Sequence, residues 1–312
     1  MTRDEDSAAE PSRGAVAESK GSLSVRRLSS QVLLAARSQP FADLLFVFGA
    51  LPTVLVGVFF LPGTASWQLS LAAESVFESR RVLWTAFASS FVHTTTDHLF
   101  DNVFNYWLVV VVAYPLSIIA GWRRRFFVMV AVYLAIVPFI SAWATIVALG
   151  GVTNAPTAGF SDVNSALLGY LIVVWFAAVE TDMRRDPLTG ESRRPAVDPR
   201  WAAVVAFGSL AVVYLVPSGA GYFPPIPTVG ALFAVVAVGI AAVLYALVGR
   251  PVLRAAAIAP ERELLYVAAA SVAVAGVIGS LVLVPFGSNV FAHLAGYAVG
   301  FALPFLTVIA NE

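Results

Sequence analysis

From about residue 40 onward the chain alternates long apolar blocks with short polar connections. A helix needs about 20 mostly apolar residues to cross the hydrocarbon core of a bilayer. Blocks that meet or approach this length lie at 42–61, 97–119, 125–148, 161–180, 201–217, 228–248, 263–284 and 288–309. Pro52, Pro115, Pro138 and Pro304 fall inside blocks, which membrane helices tolerate. The pattern predicts an all-α polytopic bundle of about eight transmembrane helices over residues 39–312.

Residues 1–38 have no sustained apolar block and are rich in Ser, Ala, Arg and Glu. They read as a disordered tail. Leu23, Val25, Leu28, Val32 and Leu33, set among Arg26, Arg27 and Arg37, leave a short surface-lying amphipathic helix as the alternative. The first apolar block starts near Phe41, too late for a secretory signal, so no cleaved signal is expected.

Arginine distribution sets the orientation. Arg26, Arg27 and Arg37, then Arg123–Arg125, then Arg184, Arg185, Arg193, Arg194 and Arg200, then Arg250, Arg254 and Arg262 fall on one set of alternating connections. The opposite connections hold only Arg80 and Arg81. By the positive-inside rule the expectation is a multi-pass protein of the cell membrane with both termini cytoplasmic. The polar segment Asp182–Pro199 reads as a cytoplasmic loop. The outer connection 62–88 is long enough for structure of its own, with Trp67, Phe77 and Trp84 suited to an interface.

Composition removes competing classes. Hydrophobic residues make up 59% of the 312 and charged residues 12%, about half the charged share of a soluble domain. Lysine plus arginine and aspartate plus glutamate number 19 each, so no net charge marks a nucleic-acid partner. The lipid bilayer is the expected environment. The absence of cysteine excludes disulfides, thiolate metal sites and cysteine nucleophiles.

Polar groups inside apolar blocks are costly and point to function. Three groups stand out. In the second block His98, Asp101, Asn102 and Asn105 share one helix face. His98 and Asn102 sit on consecutive turns and can aim donors at one point. In the fourth block, Gly159-Phe160-Ser161 runs from a loop into a helix, placing Ser161 near open N–H groups that favour an oxyanion. Ser161, Ser165 and Gly169 form a stripe of small residues. In the last block His293 is followed by Gly296 and Gly300, the spacing of tight helix contact. If the Ser161 stripe packs on these glycines, hydroxyl and imidazole meet as an activated serine. Each group also has a plainer explanation: a serine bonded to its own helix, a packing histidine, a common G-x-x-x-G.

Taken in order, these residues resemble the rhomboid family of intramembrane serine proteases. His98 and Asn102 match its His-x-x-x-Asn pair, and His93 matches a histidine that often precedes it. Gly159 and Ser161 match its G-x-S, and Ala292, His293, Gly296 and Gly300 match the pattern of its last core helix. Trp84 matches the first member of a Trp-Arg pair, with Thr85 in place of the arginine. The resemblance implies a Ser161 nucleophile and His293 base, and an oxyanion hole of His98, Asn102 and the Ser161 N–H. His93, Gly159, Gly296, Gly300 and Trp84 would support them. It implies transmembrane protein substrates and no cofactor or metal.

The chain departs from the pattern at Asp162, where the family often has glycine, and at Ser165, where it often has an aromatic under the catalytic histidine. Asp162 could cap the helix, pair with His293 or repel the oxyanion. About three spans separate the serine and histidine helices, where the family core has one. That odd number keeps the direction of the histidine helix, and Asp162, Ser165 and Thr85 leave an inactive relative that binds transmembrane helices as the alternative. A transporter or metal-binding protein using His93, Asp97, His98 and Asp101 is the third reading.

Overall fold

In the computed structural model, residues 40–184, 197–219, 223, 225–251, 260–285 and 287–310 are described. The tail 1–38 and residues 185–196 of the expected cytoplasmic loop lie outside them. The described chain is a bundle of helices: α1 (Phe41–Phe60, with a π-helical stretch at Phe46–Ala50), α2 (Arg80–Ala88), α3 (Thr96–Ile119), α4 (Arg123–Leu149), α5 (Ser161–Arg184), α6 (Trp201–Leu215), α7 (Pro227–Val248), α8 (Pro260–Val277, continued by a π-helical turn at Ile278–Val282) and α9 (Val290–Ile309).

Local sequence starts these helices where capping chemistry allows. The Ser79, Thr95 and Asn289 side chains accept hydrogen bonds from the N–H groups of Val82, His98 and Ala292, which satisfies donors that a helix start leaves open. Among the described residues, seven helices are long and apolar enough to cross a membrane.

The expected span 201–217 is corrected to α6, a helix of 15 residues, short of membrane length. Its early end has a local cause. Val216 precedes Pro217, whose ring drives the preceding residue out of helical conformation, and Val216 is extended at φ −101° and ψ 137°. The chain then returns as α7, and the two pack as a hairpin.

α5 forms the axis of the bundle. It is buried along nearly its whole length and touches α3, α4, α6, α8 and α9. α7 is the reverse: it packs mainly on α6 and exposes most of its surface. One end of the bundle is tied by ion pairs. Asp43 of α1 accepts from Arg123 of α4 and Tyr114 of α3. Asp182 of α5 accepts from Arg262 and Tyr266 of α8. At the opposite end, residues 61–79 fold over the helix tips, and Leu69 exchanges two backbone hydrogen bonds with Thr157. This lid segment and α2 bury a small separate cluster of Leu69, Ala73, Val76, Ala86, Ala142 and Ile146.

Candidate active site

Ser161 is the first residue of α5, at the lid end of the bundle. The turn before it is built around Gly159, whose φ of 128° favours glycine. A β-carbon there would stand 2.6 Å from Cε1 and Nε2 of His98. The missing side chain thus lets the His98 imidazole lie against the backbone beside the serine. The Gly159 N–H donates to the Ser89 carbonyl at 2.9 Å, and fully buried Phe160 packs between the Phe91 and Tyr106 rings.

His293 lies in the first turn of α9. The cap residue Asn289 also donates to the Thr145 and Thr157 hydroxyls, tying the start of α9 to α4 and to the loop before α5. The two residues of the expected dyad come together: His293 Nε2 is 2.7 Å from Ser161 Oγ. His293 Nδ1 is 2.6 Å from the Ser280 carbonyl oxygen on α8. A carbonyl only accepts, so Nδ1 carries the proton and Nε2 is the acceptor facing the serine hydroxyl.

That approach depends on glycine. A β-carbon at Gly296 would overlap the Asp162 carbonyl, and one at Gly300 the Ala166 carbonyl. The glycine face of α9 therefore packs on the backbone of Asp162 and Ala166, while Ser161 of the expected Ser161–Ser165–Gly169 stripe meets His293. Gly169 completes the seam, since a β-carbon there would be 2.5 Å from the Tyr297 carbonyl oxygen and the Phe301 nitrogen. Ser165 donates to the Ser161 carbonyl, the ordinary bond of a helical serine.

Asp162 does not pair with His293. Its carboxylate is buried and accepts from Ser90 Oγ at 2.8 Å, Ser141 Oγ at 2.6 Å and the Val163 N–H at 2.7 Å. The two serine donors thus fasten the start of α5 to α4 and to the turn after α2. Asn102 donates through Nδ2 to the His98 carbonyl, 2.9 Å away, and accepts from Asn164 Nδ2 at its own carbonyl (2.9 Å) and at Oδ1 (3.3 Å). An amide nitrogen has two donors, so the second is left for the cavity.

His93 is buried, with its ring 5.0 Å from that of His98 in an edge-to-face pair. Burial, then the neighbouring His98 imidazole, pushes His93 down to about 4, with the Phe91 backbone offsetting part of this. Trp84 stands apart from the dyad, half exposed against Trp67 and Phe87. No group of three His, Cys, Asp or Glu residues able to hold a metal occurs among the described residues.

Ser161, His293, His98 and Asn102 share one cavity of about 880 Å³. It extends from beneath the lid segment down between α3, α5 and α8, past Asn105, Leu168 and Ser271. Sequence reasoning did not single out the Ser280 carbonyl, Ser90, Ser141 or Asn289. Only Asn289 left a usable signal, an asparagine just ahead of an apolar run. Compared with known proteins, the chain matches no family model, no curated protein and no solved structure.

Proposed function

We propose that this protein is a rhomboid-like intramembrane serine endopeptidase that cuts membrane-anchored proteins at a site open to the outer face, with both of its termini in the cytoplasm. The observation that carries the reading is the 2.7 Å contact of Ser161 Oγ with His293 Nε2 inside a cavity. Ser161 is a weak nucleophile alone and needs a base within reach. His293 Nε2 takes the hydroxyl proton as Oγ bonds to the scissile carbonyl carbon. The negative oxygen of the tetrahedral intermediate is then met by donors from His98, Asn102 and the Ser161 N–H. Such donors contribute about 3–4 kcal/mol each in a water-poor site. The intermediate collapses, the C–N bond breaks, and His293 returns its proton to the departing amine. Water, deprotonated by the same imidazole, releases the acyl group and restores the hydroxyl.

The wild-type protein in detergent or vesicles is expected to form a covalent fluorophosphonate adduct at Ser161 and to cleave a model transmembrane substrate. Ser161→Ala abolishes both, and His293→Ala lowers each by about a thousandfold or more. Cleavage retained by Ser161→Ala removes the nucleophile assignment. Folded wild-type protein that takes no label selects the inactive, helix-binding relative.

A further inference from the structure

The α6–α7 hairpin lies between the serine and histidine helices in sequence, and its connecting turn reaches the site. Gly219 in that turn donates its N–H to the Val282 carbonyl at 2.8 Å, in the π-helical turn that ends α8. A β-carbon on Gly219 would overlap the Val284 carbonyl, so the turn seats against α8 only because this residue is glycine. Phe223, buried in the same turn, sets its ring 5.4 Å from that of Phe291, two residues before the base. The turn thus touches both elements that fix the histidine: the α8 end that carries Ser280 and the start of α9.

The α8 end needs such a hold. In a π-helical turn the backbone bonds are re-spaced and the carbonyls point off the regular ladder. Here Ser280 Oγ donates to the Gly276 carbonyl and the Leu283 N–H to the Ile278 carbonyl, while the Ser280 carbonyl is turned onto His293 Nδ1. We propose that the α6–α7 turn is a positioning element for the base: through Gly219 it holds the π-helical turn of α8 in the shape that aims the Ser280 carbonyl at His293 Nδ1 and leaves Nε2 to take the Ser161 proton. Gly219, Phe223 and Ser280 are positioning residues that act through His293. The inference rests on the protease reading for its consequence in catalysis, but the tautomer it specifies exists whether or not the protein cleaves anything.

The chain has three histidines, so ¹⁵N-histidine labelling gives a small set of imidazole signals. The test compares the full-length wild-type protein with Gly219→Ala and with Gly208→Ala, whose added methyl meets open space. In the wild type and in Gly208→Ala the His293 ring carries its proton on Nδ1. In Gly219→Ala a substantial share of the ring shifts to the Nε2–H form, and fluorophosphonate labelling of Ser161 slows by about tenfold, the scale of losing an orienting partner. Should Gly219→Ala fail to fold, replacing Gly219 by its α-hydroxy analogue, glycolic acid, removes its N–H bond to the Val282 carbonyl without adding a side chain, and the same shift is expected. A Gly219→Ala or hydroxy-analogue protein that keeps the Nδ1–H form and the wild-type labelling rate overturns the inference. A wild-type protein with the Nδ1–H form and no adduct fails the protease reading instead, and the tautomer shift in Gly219→Ala still decides the role of the turn.

Discussion

A carboxylate next to a nucleophilic serine would by simple electrostatics oppose the oxyanion that forms there. The Asp162 oxygens bond instead to Ser90, Ser141 and the Val163 N–H, donors that offset part of that charge. His93 shows a second kind of control. Its ring is neutral at physiological pH because burial and the adjacent His98 hold it near 4, against an ordinary 6.5. The unfolded chain therefore takes up a proton below 6.5 that the folded chain refuses. Stability from the neutral ring is present above pH 6.5 and is lost as pH falls toward 4, by roughly 3 kcal/mol at most. His93→Gln is expected to flatten the acid limb of denaturation midpoints measured in detergent between pH 7 and 4.5; an acid limb as steep as the wild type's would show that other groups set it. At this scale the sequence exposed side chains and hid backbone. Ser161 and His293 were legible because polar atoms are rare within apolar blocks. The Ser280 carbonyl was not, because every residue has one and only the fold selects which is aimed at an imidazole.

Among the elements, the α5–α9 seam has the least tolerance. Glycine at 296 and 300 brings the helix backbones so close that any side chain there meets a carbonyl rather than a movable group. Gly300→Val is expected to lower resistance to thermal or denaturant unfolding by about 2–4 kcal/mol, as overpacked cores do. Gly239→Val on α7, exposed and with nothing within 4 Å of an added β-carbon, should stay close to wild type. Equal losses from the two would mean that the seam is looser than described. The G-x-x-x-G was readable and named the right face of α9. Of the expected partner stripe, Ser161 and Gly169 meet α9 while Ser165 bonds back to its own helix; the Asp162 and Ala166 carbonyls that the glycines touch were not legible, because spacing gives a stripe on each helix but not the rotation at which two stripes meet. The early end of α6 was written in Val216-Pro217, whereas the π-helical turns at Phe46–Ala50 and Ile278–Val282 carry no such mark.

For the molecule as a whole, block length was sufficient to read an all-helical bundle, while the docking of the α6–α7 hairpin on α8 and α9 depended on contacts between segments far apart in the chain. The natural absence of cysteine makes orientation simple to test. In intact cells an impermeant maleimide is expected to label Ala72→Cys, exposed in the lid segment, and to label exposed Arg124→Cys, at the start of α4, only after permeabilisation. The opposite result inverts the orientation read from the arginines.

The brevity of α6 reaches beyond the protein itself. Fifteen residues of helix rise only about 22 Å, against roughly 30 Å for an average hydrocarbon layer. Val205, Val212 and Leu215 face outward from this helix. If α6 runs from one face of the bilayer to the other, lipid tails alongside it must shorten or splay to meet its ends, and the bilayer is pinched on the flank of the bundle that carries the α6–α7 hairpin, at a cost that falls as the surrounding membrane becomes thinner.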